Sequence, residues 1–178
     1  MMLRMLKNWW REDRAAIAIE VGILMPTMLV MLMGIIDIGT GVYINQKLIN
    51  ADQMIADLLT RNPTVSAAVD LPNAIIAGEL ALKPYDTTSF GVDIASIQFN
   101  GGPLMPQIKW RYTSVNMLPN QDLPHAADNL GGDQDGVIVV TTAYTYVPFF
   151  TGGLTSVTYD MREVAFARGR NGLYIPEV

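Results

Sequence analysis

An acidic residue, Glu20, lies inside an otherwise uncharged apolar stretch of 22 residues that runs from Ala15 to Ile36. As a helix rising about 1.5 Å per residue, this stretch is long enough to cross the roughly 30 Å core of a bilayer. A carboxylate in hydrocarbon costs roughly 2.5–3.5 kcal/mol on insertion scales, so a glutamate at such a position indicates a function. The alternative is that Glu20 lies near the end of the span and reaches the interface. Its position alone leaves both interpretations open.

Other residues that could do chemistry form no convincing set. His125 is the only histidine and lies in a polar loop, and no nucleophile-elbow pattern accompanies it. Asp133 and Asp135, with Asp128 nearby, are similar to an acidic cation loop but lack the glutamate that a calcium-binding loop requires. We therefore expect a solvated turn there, with calcium as the alternative. Cysteine is absent, which excludes thiolate metal sites. The sequence predicts no catalytic residues, no metal site and no cofactor.

Charge is distributed unevenly along the chain. Residues 1–14 carry four basic and two acidic side chains, a net charge of +2. From Asp37 onward there are 14 acidic and 8 basic side chains, a net charge of −6. The positive-inside rule then predicts a cytoplasmic amino terminus and a body on the other side of the membrane. An acidic body also argues against nucleic acid as a partner, because phosphate neutralisation needs clustered Lys and Arg.

The segment from Arg14 to Pro26 resembles the amino-terminal segment of the TadE-like family, the minor pseudopilins of tight-adherence (Flp-type) pilus systems. Members show a basic leader, a small residue, four apolar residues, a glutamate and, six residues later, a proline, as here. The resemblance implies cleavage by a prepilin peptidase between Ala15 and Ala16, although Ala15 stands where the family usually has Gly. It also implies that Glu20 acts in assembly with other pilin-like subunits, as the fifth residue of the mature chain.

The helix is predicted to continue beyond the apolar stretch, from about Ala15 to Arg61, and to end before Pro63. We expect Pro26 to kink it, because proline removes one backbone hydrogen bond. Beyond the span, apolar residues recur at spacings of three and four, as on one face of an amphipathic helix: Ile44, Leu48, Ala51, Ile55 and Leu58. Polar residues such as Asp52 and Asp57 are expected largely off that face.

Strand signals dominate the remainder of the chain. A short helix is predicted over Asn73–Leu82, starting at Pro72. Alternation and β-branched residues predict four strands: Val92–Phe99, Ile108–Thr113, Val137–Val147 and Thr155–Phe166. A long helix followed by four strands predicts an α+β fold with a small antiparallel sheet, which is similar in outline to the pilin-like family. The expected divisions are a leader (1–15), a span (16–36), the outer half of the long helix (37–62) and a soluble domain (63–178).

Two functional hypotheses of different classes follow. The first is a structural minor pseudopilin that takes part in assembly or initiation of an Flp/Tad-type (type IVc) pilus, with no enzymatic activity. The second is a single-pass, membrane-anchored envelope binding domain that is neither cleaved nor assembled into a fibre. Both predict a bacterial inner-membrane protein with a periplasmic carboxyl-terminal domain, and only the first predicts loss of residues 1–15. A membrane-tethered hydrolase is a third hypothesis, which the lone His125 disfavours.

Overall fold

One long helix, α1 (Asp13–Thr60), contains both the apolar stretch and the amphipathic segment that follows it. The computed structural model describes residues 13–101, 106–123 and 125–178. The helix ends one residue before Arg61, so the continuous helix predicted from the sequence is confirmed. The basic leader falls largely in residues 1–12, which lie outside the described part of the chain.

The chain divides into two units, and the division falls within α1. The anchor unit comprises Met1–Thr40 together with Pro148–Val157, and the sheet unit comprises Gly41–Val147 together with Thr158–Val178. The anchor unit contains the apolar part of α1 and a short helix, α3 (Thr151–Thr155). All four strands belong to the sheet unit, as does the second helix, α2 (Asp70–Leu82).

Four antiparallel strands form the sheet, in the spatial order β2-β1-β3-β4. They are β1 (Gly91–Phe99), β2 (Pro106–Thr113), β3 (Asp135–Tyr146) and β4 (Tyr159–Leu173). The inner strands β1 and β3 are buried along almost their whole length, so the prediction of a central strand near 137–147 is confirmed. The predicted α+β class with an antiparallel sheet is likewise confirmed.

The sheet-unit part of α1 packs on one face of the sheet. Ile44, Leu48 and Ile55 expose at most 1% of their surface and lie in one cluster with strand residues such as Ile94 and Val140. Each buried side chain of this size stabilises the fold by roughly 1.5–3 kcal/mol. The predicted burial of this face is confirmed for Ile44, Leu48, Ala51 and Ile55, whereas Leu58 is only partly buried and Leu59 is the buried leucine at this end of α1.

The opposite face of the sheet is covered by the connection between β2 and β3. Leu123 and Ala127 of this connection form a second apolar cluster with five strand residues: Ala95, Ile97, Phe99, Val137 and Val139. The prediction of a polar loop at Pro119–Gly136 is therefore incomplete, because the loop also closes a second core. A short 3-10 helix, His125–Ala127, lies within it.

An ion pair with a fully buried carboxylate attaches this loop to the sheet. The guanidinium of Arg111 donates to the carboxylate of Asp93 at 2.9 and 2.6 Å, and the backbone N–H of Asn120 donates to the same carboxylate at 2.8 Å. Burial acts to raise the pKa of Asp93, but these hydrogen bonds outweigh it and hold the pKa below its usual value. Asp93 therefore stabilises the fold above its unfolded-state pKa of about 3.9, and this contribution is lost as the pH falls further.

Three predicted boundaries were wrong. Helix α2 begins at Asp70 rather than Pro72, because the carboxylate of Asp70 accepts the backbone N–H of Ser66 at 2.8 Å and stabilises an earlier start. Thr155 ends the short helix α3 instead of starting a strand. Strand β4 continues to Leu173 instead of ending at Phe166, because β3 offers pairing partners as far as Asp135.

Candidate membrane and assembly site

The apolar part of α1 leaves its side chains uncovered. Between Ile17 and Ile36, the exposed large apolar side chains show from 45% (Ile36) to 70% (Ile23) of their surface. Within the described residues, α1 is the one helix long and apolar enough to cross a membrane by its length and composition. An exposed apolar surface of this size marks a site of contact with a membrane or with another protein.

Glu20 lies exposed on this apolar surface. Side chains three and four positions away share its side of the helix, and those at Ile17, Ile23 and Leu24 are apolar. None of the ion pairs found among the described residues includes Glu20. The role of Glu20 in assembly stays a prediction.

The other predicted site residues also lie on α1. Ala15 and Ala16 lie in the first turn of the helix. Pro26 lies inside the helix, which continues past it. The cleavage between Ala15 and Ala16 and the kink at Pro26 remain predictions. Glu20 follows Ala16 by four residues, which is about one helical turn.

Comparison with known families bears directly on this helix. The model of the TadE-like protein family matches residues 15–57. The match confirms the resemblance found from Ala15, Glu20 and Pro26. The matched residues also include the part of α1 that packs on the sheet. The match suggests an association with Tad pilus systems and a membrane-anchored helix. No curated protein and no solved structure matches the chain.

We call residues 15–57, which match the TadE-like model, the TadE-like segment. It contains an acidic residue that the sequence analysis did not single out. Asp37 directly follows the apolar stretch, yet only 4% of its surface is exposed. Its carboxylate accepts hydrogen bonds from the backbone N–H groups of Phe150 at 3.1 Å and Thr151 at 2.8 Å, and from the Thr151 hydroxyl at 3.0 Å. The available signal was that Asp37 is the first charged residue after Glu20.

A second acidic residue of the TadE-like segment corrects a prediction. Asp52 was expected off the apolar face of α1, but it exposes 1% of its surface. Position 52 follows Leu48 by four and precedes Ile55 by three, so it belongs to the buried face. Neither carboxylate oxygen of Asp52 has a hydrogen-bond partner among the described residues, and the nearby hydroxyl of Thr142 is likewise unpaired.

The environment of Asp52 favours its neutral form. Burial, and to a lesser degree the negative charge of Glu163, raise the pKa of Asp52 to about 7. The hydroxyl of Thr142 offsets part of this shift, although it falls short of hydrogen-bond geometry. Glu163 accepts a hydrogen bond from the side-chain amide of Asn45 at 3.0 Å. Two carboxyl groups thus lie at the contact between α1 and β4, and Asp52 is the one that is buried.

We predict that Asp52 makes the sheet unit less stable as the pH rises. Its folded-state pKa lies above the unfolded value of about 3.9, so the folded state binds the proton more tightly. The stabilisation that protonated Asp52 gives the folded state is complete below pH 4 and is lost as the pH rises through 7. Asp52→Asn should remove this slope and raise the free energy of unfolding at pH 8 by on the order of 2–4 kcal/mol. Urea unfolding of a fragment beginning at Gly41, measured at several pH values, tests this.

Asp57→Asn is the matched control for this experiment. Asp57 lies on the same helix, but 68% of its side chain is exposed and it pairs with Arg61. This variant should keep the wild-type slope between pH 4 and 7. An unchanged slope in Asp52→Asn would show that Asp52 is already ionised in the folded protein.

The residues first considered as catalytic or cation-binding groups, His125, Asp133 and Asp135, make contacts with neighbouring residues of the fold. The ring nitrogen Nδ1 of His125 lies 3.6 Å from the carboxylate of Asp128, and 86% of the histidine side chain is exposed. Asp133 accepts the backbone N–H of Gly101 at 2.8 Å. Asp135 accepts the N–H of Gly132 at 2.7 Å and also pairs with Arg168. Among the described residues, no group of three metal-ligating side chains occurs.

Proposed function

We propose that this protein is a minor pseudopilin that takes part in assembly or initiation of an Flp/Tad-type pilus. The observation that carries the proposal is the TadE-like match over residues 15–57, with Glu20 on the exposed apolar surface of the matched helix. Its partners are the inner membrane, a prepilin peptidase and other pilin-like subunits. The basic leader stays in the cytoplasm and the sheet unit lies in the periplasm, in keeping with the net charges of +2 and −6.

The chemistry of assembly follows from cleavage before Ala16. Removal of residues 1–15 creates an α-amino group at the start of the apolar helix. In a membrane or a fibre this cation is buried among apolar side chains, and the carboxylate of Glu20, in the same or a neighbouring subunit, neutralises it. Two opposite charges 4 Å apart attract by roughly 4 kcal/mol at an effective dielectric constant of 20, compared with about 1 kcal/mol in water. Pairing also selects one register between helices, which apolar contacts alone do not.

Processing is tested by a substitution immediately before the proposed cut. Ala15→Leu should block removal of the leader, because the peptidase must accept a very small side chain at that position. The membrane-extracted variant should therefore keep the mass of residues 1–15, whereas the wild-type protein loses it. Intact-mass spectrometry distinguishes the two forms directly.

Ala18→Leu is the matched control, since it makes the same change three residues after Ala15, on the mature side of the cut. This variant should be cleaved like the wild-type protein. A wild-type protein that retains its leader would favour the anchored binding domain over the pseudopilin. Cleavage of Ala15→Leu at the same bond would contradict the proposed recognition of a small residue.

A further inference from the structure

Within the anchor unit, an uncharged segment lies against the end of the apolar helix. The three hydrogen bonds described above connect the carboxylate of Asp37 to Phe150 and Thr151. They stabilise the charge of Asp37 and hold the segment Pro148–Val157 beside this residue. We call this segment, Pro148–Val157, the aromatic loop.

The composition of the aromatic loop suits a lipid surface. No charged residue occurs between Gly136 and Tyr159, so the loop and both of its flanks are uncharged. Phe149 exposes 82% of its surface, and its ring stands edge-on to that of Phe150 with centroids 5.0 Å apart. Phe side chains are typical of the apolar face that interfacial segments bury at the boundary between headgroups and acyl chains.

The position of Asp37 along α1 places the aromatic loop at that boundary. Asp37 follows Glu20 by 17 residues, which is about 26 Å of helix. The whole apolar stretch from Ala15 to Ile36 covers about 33 Å of helix and the hydrocarbon core is about 30 Å thick, so Asp37, which directly follows the stretch, lies near the boundary where the helix leaves the core. The loop held by Asp37 is then at the level where α1 leaves the membrane.

We propose that the aromatic loop binds the lipid surface at the boundary where α1 leaves the bilayer, with Phe149 inserted among the lipids. The inference rests on the membrane span of the proposed function, but it adds a second contact with the membrane. This contact fixes the depth of the helix in the bilayer, because the loop and Asp37 are held together. Asp37 is the positioning residue of the loop.

The chain contains no cysteine, so single-cysteine variants report one position each. Three variants of the full chain carry a nitroxide label and are reconstituted in vesicles of phosphatidylethanolamine and phosphatidylglycerol. Phe149→Cys reports the loop and Val30→Cys reports the span. Val115→Cys is the control, since Val115 is a fully exposed apolar residue of the sheet unit. The measured quantity is the ratio of collision rates with oxygen, which concentrates in lipid, and with a water-soluble nickel chelate.

We expect the ratio at Phe149 to be several-fold higher than at Val115 and below that at Val30. A ratio at Phe149 equal to that at Val115, with Val30 in lipid, overturns the proposal while the membrane span stands, and leaves the loop free to contact a neighbouring subunit. An aqueous ratio at Val30 overturns the span and the proposal together. Lipid contact at Val115 equal to that at Phe149 also overturns it, because the contact is then not specific to the loop.

The role of Asp37 has its own test. Asp37→Ala in the Phe149→Cys protein removes the acceptor of all three hydrogen bonds, so the ratio at position 149 should fall towards that of Val115. The same substitution in the Val30→Cys protein should leave position 30 in lipid, with a ratio that stays several-fold above that of Val115. An unchanged ratio at position 149 would show that Asp37 does not position the loop.

Discussion

A Glu20→Ala protein is expected to remain in the membrane, to lose its leader and to fail to assemble. Insertion becomes easier, because a charge has been removed from a segment that is otherwise apolar. The variant loses the ion pair between the carboxylate of Glu20 and the new α-amino group of Ala16. The attraction between the two charges differs by roughly 3 kcal/mol between the apolar and aqueous environments. Association with other pilin-like subunits should therefore weaken by on the order of a hundredfold. Co-purification from membranes and counts of pili per cell measure the effect.

Two further substitutions separate charge from shape. Glu20→Gln keeps the size of the side chain and removes the charge, so it should behave as Glu20→Ala does. Glu20→Asp keeps the charge on a shorter side chain and should retain part of the assembly. Normal assembly by Glu20→Ala would mean that the carboxylate only reaches the interface, and the pseudopilin mechanism would lose its main residue.

The long helix could be predicted from the sequence because both of its signals are local. A run of apolar residues sets the span, and apolar residues at spacings of three and four set the buried face around Leu48 and Ile55. The burial of Asp52 could also have been found, since its position lies between these two on the same face. The prediction placed Asp52 outside the buried face because the residue is polar. In the structure, the packing of α1 on β4 buries it.

Long-range pairing explains what the sequence could not show. The end of β4 contains Gly169 and Gly172, a residue type that is unfavourable inside a strand, and Gly172 adopts a positive φ of 69°. The strand nevertheless continues because Leu173 pairs with Asp135 across an irregularity in β3. The covering of the second sheet face by Leu123 and Ala127 likewise depends on contacts between distant segments. The bond between Asp37 and Thr151 joins residues 114 positions apart, which no local pattern could predict.

The sheet unit is expected to fold only when it includes its own part of α1. A fragment beginning at Gly41 should unfold cooperatively, and one beginning at Thr64 should aggregate or show no cooperative transition. The shorter fragment lacks four large side chains that expose at most 1% of their surface: Ile44, Leu48, Ile55 and Leu59. At roughly 1.5–3 kcal/mol each, their burial amounts to about 6–12 kcal/mol. A whole domain has a free energy of unfolding of only about 5–15 kcal/mol.

Thermal unfolding followed by circular dichroism, with gel filtration of the same samples, compares the two fragments. A single substitution in the longer fragment tests the same contact on a smaller scale. Leu48→Ala should lower the free energy of unfolding by about 2–5 kcal/mol, as expected for a buried leucine. Gln53→Ala, an exposed position on the same helix, should change it little. Equal, cooperative unfolding of both fragments would show that the sheet is stable without α1. The helix would then serve the membrane and its partners alone, and the TadE-like match over residues 15–57 would describe a separable anchor rather than part of the folded domain.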